Sequence, residues 1–510
     1  MDVNKRTTPS NSQVGLDESN MSSNPPNSSN IEPIASSQSQ QMILVNWDGE
    51  DDQKNPRNWS KATFLTHVFL VSMLCLASNL ATTMYAPGAA QLAIEFKTSD
   101  ATTVALTVSI YLLGFSLAPM ILAPLSEVYG RLIVYHVSNV LFLGFNLGCA
   151  FSTNIGMFIA FRFLAGCAGS APMTIGGGTI ADLSADPIRN NSALKLFALG
   201  PLLGPVIGPI VGGFVTQNIG WRWTFRIMVI INGVLGLLAF ILLKETSAAV
   251  ILRQKGRAET QSRDKAFLIP GPFPGMPPAP QLPPKEIVLR SLIRPLKMLL
   301  FLPQVSILSF YTAFVFGLIY LLFTTFPAVF NEQYGFQPGI SGLSYIGIGL
   351  GMISALLLFN YINLKMSGRT DENGQIYPES YLPLMTWFSP SLPIGFWVFG
   401  WTAEKQTHWI VPIIGTYFVG FGSFAIIMPT TAYLVFAQGP AGAASVLAAN
   451  NLLRYLFAAF LPLAGQAMFD RLGLGWGNSL LGFICLLLAP IPGIFQIYGE
   501  ALRRKYSKQF

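Results

Sequence analysis

Charge is scarce in this sequence. Charged residues make up 11% of the 510 residues and hydrophobic residues 51%, whereas an average soluble domain carries about 25% charged residues. A soluble enzyme or binding domain of this length needs many more charged side chains to cover its surface. The shortage excludes an ordinary soluble protein and indicates that lipid is the main solvent of the chain.

Residues that bind metals, form disulfides or hold phosphates are also few. The four cysteines and three histidines include no CxxC pair and no cysteine with a neighbouring histidine, so neither a disulfide framework nor a metal site is predicted. The sequence has no GxxxxGK[ST] loop, which excludes an ATP-driven pump that acts without a further subunit. Because no histidines and carboxylates converge, we expect neither a cofactor nor enzyme activity.

The chain instead carries hydrophobic runs about 20 residues long, which is the length that a helix needs to cross a bilayer. We therefore predict an all-α membrane protein with twelve transmembrane helices. The runs lie near 63–85, 101–123, 132–152, 157–181, 194–216 and 224–243, and then near 299–326, 339–362, 383–402, 409–436, 443–466 and 477–498.

Polar segments divide these runs into two sets of six. The N-terminal segment is rich in Ser, Asn, Gln and Pro, which predicts that most of it is disordered. The prolines between 270 and 284 favour an extended polyproline segment between the two sets. The predicted organisation is an N-terminal tail over 1–62, a six-helix bundle over 63–243, a Pro-rich linker over 244–298, a second six-helix bundle over 299–498 and a C-terminal tail over 499–510.

The distribution of Lys and Arg predicts the orientation in the membrane. If the N-terminus is cytoplasmic, most basic loop residues fall on the cytoplasmic side, as expected for multi-pass membrane proteins. We therefore expect both termini and the linker to be cytoplasmic. The basic residues left on the outer side are Lys97, Arg222, Arg226, Lys405 and Arg471.

A glycine stripe marks the fifth run. Because glycine recurs at every fourth position, one helix face lacks side chains and another helix can approach it closely in lipid. The neighbouring prolines remove backbone donors and weaken the helix. A static packing groove is one interpretation, but we favour a moving interface whose partner is the pair Gly347 and Gly351 in the eighth run. The glycine stripe is Gly200, Gly204, Gly208 and Gly212, with Pro201, Pro205 and Pro209 beside it.

A short turn between the second and third runs carries opposite charges. Glu127 and Arg131 are four residues apart there, and Asp182 ends the fourth run. A guanidinium and carboxylates in these positions can form charge-assisted hydrogen bonds between helix ends. We predict a cytoplasmic lock that is closed in one conformation and open in another.

Two arginines lie inside the predicted spans, whereas every Asp and Glu lies at or beyond their ends. An arginine within a membrane is costly, so Arg162 and Arg454 are predicted to bind substrate or to couple transport. The alternative for Arg162 is an anchor that extends to the membrane surface. The alternative for Arg454 is a hydrogen-bonded cluster with Asn450 and its neighbours between helices.

Several of these segments resemble the major facilitator superfamily, and within it the fungal twelve-span drug:proton antiporter group. The resemblance covers the chain from about residue 45 to the end. Glu127 stands where many members carry Asp, and Tyr381 stands where the group's loop signature after Pro378 and Glu379 carries Arg. The segments that carry the resemblance are 45–52, 55–59, 124–131, 200–213, 220–223 and 245–246.

The resemblance implies two helix bundles around a central cavity, alternating access, and export of amphipathic molecules against proton influx. It also implies that Arg162, which matches the family's fourth-helix arginine, takes part in coupling. The plasma membrane is the expected location, with the vacuolar membrane as the alternative. The expected partners are a small-molecule substrate, protons and the lipid bilayer, without nucleic acid, and the protein is expected to be a monomer.

Polar residues within the spans are candidates for lining that cavity, although such residues often only join helices. Because the spans contain no carboxylate for an unpaired cation, we expect a neutral or weakly acidic amphipathic substrate. The sequence predicts a secondary active exporter; the alternative is an importer or facilitator of a small nutrient, since fold does not set direction. The candidate lining residues are Asn79, Tyr111, Tyr311, Tyr345 and Asn450.

Overall fold

The computed structural model describes residues 43–184, 186–260, 267–268, 284–366 and 377–506. The disorder predicted for residues 1–42 and the polyproline segment predicted for 270–283 lie outside the described residues. Nearly all of the described chain is helical, and the two-residue strands β1 (Ile43–Leu44) and β2 (Phe267–Leu268) pair in parallel. The prediction of an all-α membrane protein is confirmed.

The helices follow the hydrophobic runs of the sequence. The first half comprises α1 (Lys61–Thr83), α2 (Ala89–Glu95), α3 (Ala101–Leu117), α4 (Pro119–Tyr129), α5 (Arg131–Ala150), α6 (Ile155–Gly169), α7 (Ala171–Asp182), α8 (Pro187–Ile219) and α9 (Arg222–Leu242). Two helices follow before the second half, α10 (Ala248–Thr260) and α11 (Pro284–Phe301). The second half comprises α12 (Pro303–Tyr334), α13 (Pro338–Leu343), α14 (Tyr345–Met366), α15 (Leu382–Phe388), α16 (Ser391–Glu404), α17 (Ile410–Leu488) and α18 (Ile491–Tyr506).

The described ranges contain nine helical segments that are long and apolar enough to cross a membrane, and ten if α3 and α4, which meet at 41°, form one span. A straight α17 would be about 120 Å long, several times the thickness of a bilayer. Its backbone leaves helical geometry at Gly439 (φ 66°) and Gly473 (φ 75°). These two breaks divide α17 into three helical segments. Twelve crossings remain a prediction.

Close helix contacts in the first half depend on glycine. A methyl group built on Gly166 of α6 would lie 2.1 Å from the carbonyl oxygen of Tyr111 in α3. One built on Gly114 of α3 would lie 2.5 Å from the carbonyl oxygen of Phe163. The two backbones therefore touch directly, as small residues allow in membrane helix pairs.

The two halves meet along several helix pairs, of which α3 with α17 and α8 with α13 are the most extensive. In the first of these pairs the Ser116 hydroxyl of α3 donates to the carbonyl of Leu452 in α17, at 2.9 Å. In the second the Gly339 N–H of α13 donates to the side-chain oxygen of Gln217 in α8, at 3.0 Å.

Residues 45–48, which belong to the predicted tail, pack against α10. Val45 and Leu252 are both buried and pack together, and Lys255 forms an ion pair with Asp48. Asp52 accepts the N–H groups of Lys54 (2.8 Å) and Asp48 (3.1 Å). These hydrogen bonds hold the pKa of the Asp52 carboxyl below its usual range, because they favour its charged form.

Replacing Gly166 by Ala is expected to lower thermal stability, because overpacking of a rigid contact typically costs about 1–3 kcal/mol. The matched control is Gly144→Ala in α5, where a methyl group would meet nothing within 4 Å. That change should be neutral or slightly stabilising, since Ala is the better helix former by up to about 1 kcal/mol. Thermal unfolding of the purified protein in detergent measures both, and equal midpoints for the two variants would contradict the close α3–α6 contact.

Candidate functional site

Arg162 lies on α6 and is completely buried. Its guanidinium donates to carbonyls of α1 and α3, and within the described residues it has no carboxylate partner. Because α1 ends at Thr83, the carbonyls of its last turn lack partners inside the helix, and a cation at this end also interacts favourably with the helix dipole. The acceptors are the carbonyls of Ala81 (3.1 Å), Thr82 (3.4 Å), Thr107 (3.3 Å) and Val108 (3.3 Å).

Aromatic rings close around the same guanidinium. Its carbon lies 4.6 Å from the centre of the Tyr111 ring, 5.8 Å from Tyr85 and 5.7 Å from Phe225. The interpretation of Arg162 as an anchor that extends to the membrane surface is therefore wrong, since the side chain has no exposed part. Arg162 joins α6 to α1 and α3 inside the first half.

Arg454 lies on α17 and has few partners. Its Nη1 donates to the side-chain oxygen of Asn451 at 3.3 Å, and its Nε is buried without a hydrogen-bond partner. The guanidinium lies over the ring of Phe316, 4.3 Å from its centre. Asn450 bonds elsewhere, because its oxygen accepts the Thr312 hydroxyl at 2.8 Å. Of the proposed cluster, the hydrogen bond between Arg454 and its neighbour Asn451 on the same helix is formed, whereas Asn450 bonds to α12 instead.

The helical position of Arg454 directs it toward the space between the halves. On the same helix the Leu452 carbonyl and the Tyr455 ring contact α3, and Phe460, on the opposite side, is 54% exposed as expected for a lipid-facing residue. With 100° between successive residues, Arg454 lies between the α3 contacts and the α12 contact of Asn450. Its partial exposure is thus exposure to the interior.

A band of aromatic rings crosses the boundary between the halves, and we call it the aromatic band. Neighbouring ring centres are 5.1–5.5 Å apart. Within it the Tyr320 hydroxyl of α12 lies 3.4 Å from the Thr82 hydroxyl of α1, so the band is also joined across the boundary by polar atoms. Its members in order are Tyr111, Phe115, Tyr455, Phe316, Tyr320, Phe323 and Tyr345.

Three of the predicted cavity residues pack within one half. Asn79 donates to the carbonyl of Cys75 in its own helix at 2.8 Å. The Tyr345 hydroxyl donates to the carbonyl of Phe323 at 2.5 Å, and Tyr311 is 1% exposed. In this conformation Tyr345 joins α14 to α12, Asn79 is bonded within α1, and Tyr311 is buried.

The glycine stripe faces α1 rather than the second half. Methyl groups on Gly204 and Gly208 would lie 2.7 Å from Asn79 Cβ and 2.7 Å from the Thr83 hydroxyl. Gly200 and Gly212 are likewise closest to α1. The predicted pairing with Gly347 and Gly351 is wrong. The periodicity of the stripe specifies a close contact but not the partner, and these two glycines instead approach the carbonyls of Ile413 and Tyr417.

The neighbouring face of α8 does contact the second half. A methyl group on Gly213 would lie 2.4 Å from the carbonyl oxygen of Pro338. One on Gly342 would lie 2.4 Å from the carbonyl oxygen of Pro209. The helix therefore has one face that is fixed within its own half and another that meets α13 across the boundary.

Thr83 compensates for a proline in α8. Proline has no N–H, so Pro209 cannot donate to the carbonyl four residues earlier, that of Pro205. The Thr83 hydroxyl of α1 donates to this carbonyl at 3.0 Å. We did not identify Thr83 from the sequence, although a proline four residues after a buried carbonyl signals that some donor is required.

The predicted lock is formed in part. Arg131 Nε donates to Asp182 Oδ2 at 2.9 Å, and Arg131 Nη1 donates to the Ser126 hydroxyl at 3.3 Å. Glu127 forms no ion pair among the described residues, and its carbonyl accepts from Arg253 at 3.3 Å. Because α5 and α7 both belong to the first half, the Arg131–Asp182 pair fastens helices of that half to each other.

Glu245 was not predicted as a site residue, yet it caps two helix starts. Its carboxylate accepts the N–H groups of Arg131 and Leu132 (both 3.0 Å), which open α5, and those of Thr246 (3.0 Å) and Ser247 (2.8 Å), which precede α10. At Gly130 (φ 103°) a methyl group would lie 2.3 Å from this carboxylate. Glycine is therefore required there.

The second half has an ionic contact of its own at Glu379. Arg503 Nη2 of α18 donates to both carboxylate oxygens of Glu379, at 3.1 and 3.0 Å. Tyr381 stands where the fungal drug:proton antiporter group carries Arg. Its ring stacks on that of Phe436, with ring centres 5.1 Å apart. The Glu379 carboxylate thus pairs with a guanidinium of α18 and not with an arginine at position 381.

A vestibule of about 370 Å³ lies between the halves, near the loops that follow α1 and α12. Glu332 is the one ionisable residue that lines it, beside Thr325, Asn331 and Gln466. Elsewhere in the described ranges, no three or more His, Cys, Asp and Glu side chains form a group suited to a metal ion.

Comparisons with known proteins agree on one family. The family model described as Major Facilitator Superfamily matches residues 71–462. The MFS transporter fsdG of Fusarium heterosporum is 73% identical over 95% of this chain and 95% of its own length. The trichosetin biosynthesis cluster MFS transporter of Gibberella fujikuroi is 49% identical over 91% of this chain and 89% of its own.

Solved structures show the same fold at low identity. The crystal structure of a D-xylose–proton symporter has a TM-score of 0.65 at 15% identity, and the match covers 85% of this chain and 97% of the symporter. A bacterial homologue of the human lysosomal transporter Spinster, in an inward-facing conformation, has a TM-score of 0.59 at 14% identity, with 88% and 99% covered.

The two faces of α8 predict two different mutant phenotypes. Gly204→Ala should lower the thermal unfolding midpoint, because it separates α1 from α8 within one half. Gly342→Ala should change transport with little loss of stability, because it disturbs a contact between halves. Unfolding in detergent and transport in cells are measured for both variants. A Gly342→Ala protein that transports like the wild type would contradict a functional role for the α8–α13 contact.

Glu245→Ala is expected to destabilise the protein by about 1–2 kcal/mol, the usual cost of losing a helix cap. Glu245→Gln should lose less, since its remaining carbonyl oxygen still accepts hydrogen bonds. Glu500→Ala is the control, because Glu500 pairs with Arg504 on an exposed helix face, where ion pairs contribute little. Thermal unfolding of the purified variants gives the order, and no difference between Glu245→Ala and Glu500→Ala would contradict the capping role.

Proposed function

Because the chain belongs to the major facilitator superfamily, we propose that it is a secondary active transporter that exports small amphipathic compounds by alternating access and proton antiport. One relative is named for a biosynthesis cluster, which supports a secondary metabolite as the cargo. The observation that carries the proposal is the aromatic band at the boundary of the halves. Its rings, all buried in this conformation except Phe316, would give an apolar, polarisable surface to a molecule that crosses between the halves when these separate.

The contacts between the halves suit an alternating-access cycle. Among the described residues they are backbone approaches, aromatic contacts and single hydrogen bonds, such as Ser116 to Leu452, and include no ion pair between the halves. Such contacts exchange at low cost when the halves rotate relative to each other. In this proposal the vestibule near Glu332 is the exit on the outer side of the membrane.

The charge distribution supports a neutral or weakly acidic substrate. Among the described residues, every Asp and Glu lies in a loop or close to a helix end or break. A permanent cation at the aromatic band would therefore lack a carboxylate. Aromatic faces contribute about 0.5–2 kcal/mol to binding a cation, which is small compared with the cost of desolvating it.

Proton antiport is proposed from the resemblance to the drug:proton antiporter group. No carboxylate lies in the middle of a described span, so the proton is carried by Asp182, Glu127, a histidine, water or the substrate itself. A weakly acidic substrate supplies its own ionisable group. Coupling by Arg162 is then indirect, through the α1 and α3 backbone that it binds.

We further propose that the protein is a monomer in the plasma membrane with both termini cytoplasmic, the vacuolar membrane being the alternative. The lock at Arg131 and Asp182 then faces the cytoplasm, in agreement with the excess of basic residues on that side. Import of a nutrient is the competing direction, because the fold serves both.

Overexpression should lower the intracellular accumulation of amphipathic compounds several-fold relative to cells that lack the protein. A protonophore should remove this difference while cellular ATP is maintained. Accumulation is measured over a panel of compounds matched in size and lipophilicity. A rise in accumulation on overexpression would identify an importer, and an export that survives the protonophore would contradict proton antiport.

A further inference from the structure

We propose that Arg454 binds the acidic group of the substrate, and that the substrate is an amphipathic weak acid held in its anionic form. This assignment rests on the export function proposed above and narrows its substrate class. It also separates the two membrane arginines, since Arg162 is a structural residue.

Arg162 has little capacity left for a ligand, because four of the five N–H groups of its guanidinium already donate to the backbone. Its donors meet four backbone carbonyls, and the side chain is completely buried behind α1 and α3. A substrate group would have to displace carbonyls that have no water to replace the lost hydrogen bond. Substrate binding at Arg162 would therefore disrupt the helix packing that it maintains.

Arg454, by contrast, has N–H groups without hydrogen-bond partners. Its single hydrogen bond, to Asn451, is 3.3 Å long, and its Nε is buried with no partner. No described Asp or Glu forms an ion pair with it. One edge of a guanidinium binds an acid through two parallel N–H groups. A cationic side chain within a membrane protein normally has an anionic or polar partner. A substrate anion would supply the missing one.

The side chains around Arg454 suit the apolar body of such an acid. The guanidinium carbon lies over the Phe316 ring, and the ring centres of Tyr455 and Tyr320 lie 5.4 and 5.1 Å from that of Phe316. An acid whose polar head meets Arg454 would place its apolar body along these rings. The Tyr455 hydroxyl also contacts Met173 of the first half, so the bound molecule would touch both halves.

The test measures the preference of the purified full-length protein for an acid over its neutral twin. The probes are 11-(dansylamino)undecanoic acid and its methyl ester, titrated by fluorescence against protein in lipid nanodiscs, with empty nanodiscs subtracted. Wild type should bind the acid at least about tenfold more tightly than the ester, which is the size of one charge-assisted hydrogen bond. Arg454→Gln should reduce the ratio to near one and leave ester affinity unchanged.

Because the ratio is taken within each variant, a loss of folded protein cancels. Arg454→Lys should retain an intermediate ratio, and it replaces Arg454→Gln if that variant does not fold. The matched control is Arg471→Gln on the same helix, an exposed position, and its ratio should equal that of the wild type. An acid preference that survives Arg454→Gln, or an equal loss of acid and ester binding, would overturn the assignment.

Failure of this inference and failure of the export function give different results. If cells export acid and ester equally, with or without Arg454→Gln, the exporter remains and the role of Arg454 is refuted. If the purified protein shows an acid preference that depends on Arg454 while cells export neither probe, the binding site stands and export of this class is refuted.

Discussion

Backbone groups freed where a helix bends or ends must find partners inside the protein, because the bilayer core offers no water. Three side chains meet this requirement in the first half. Arg162 bonds the last carbonyls of α1, the Thr83 hydroxyl bonds the carbonyl left by Pro209, and Glu245 bonds the N–H groups that open α5. Each satisfies backbone groups at a helix end or beside a proline.

The two faces of α8 make contacts of different kinds. On α8 the face of Gly204 and Gly208 lies so close to α1 that an added methyl group would clash with it. The face of Pro209 and Gly213 meets α13 through carbonyl oxygens. The contact between α8 and α13 contains no buried charged side chain. Separating these two helices therefore exposes no charge that has to be solvated or paired.

Sequence periodicity predicted the fold well and the site unevenly. The lengths of the hydrophobic runs predicted the helices, because a spanning helix has to be apolar over about 20 residues. The partner of the glycine stripe was predicted wrongly, since a bare helix face accepts any close neighbour. The Arg131–Asp182 pair was predicted from charge and position at helix ends. Thr83 and Glu245 were missed because their roles depend on backbone groups distant in sequence.

The two halves use the same physical device with different residues. Arg131 pairs with Asp182 in the first half, and Arg503 pairs with Glu379 in the second. Tyr381 occupies the position where the resembling group carries Arg, which from sequence alone implies a missing contact. The structure instead brings a guanidinium from α18, some 120 residues later, to the Glu379 carboxylate. A buried or half-buried carboxylate requires a donor, but the requirement does not specify the chain position from which that donor comes. Departures from a motif of this family are therefore better judged by whether the carboxylate has a cationic partner than by whether the motif's own arginine is retained.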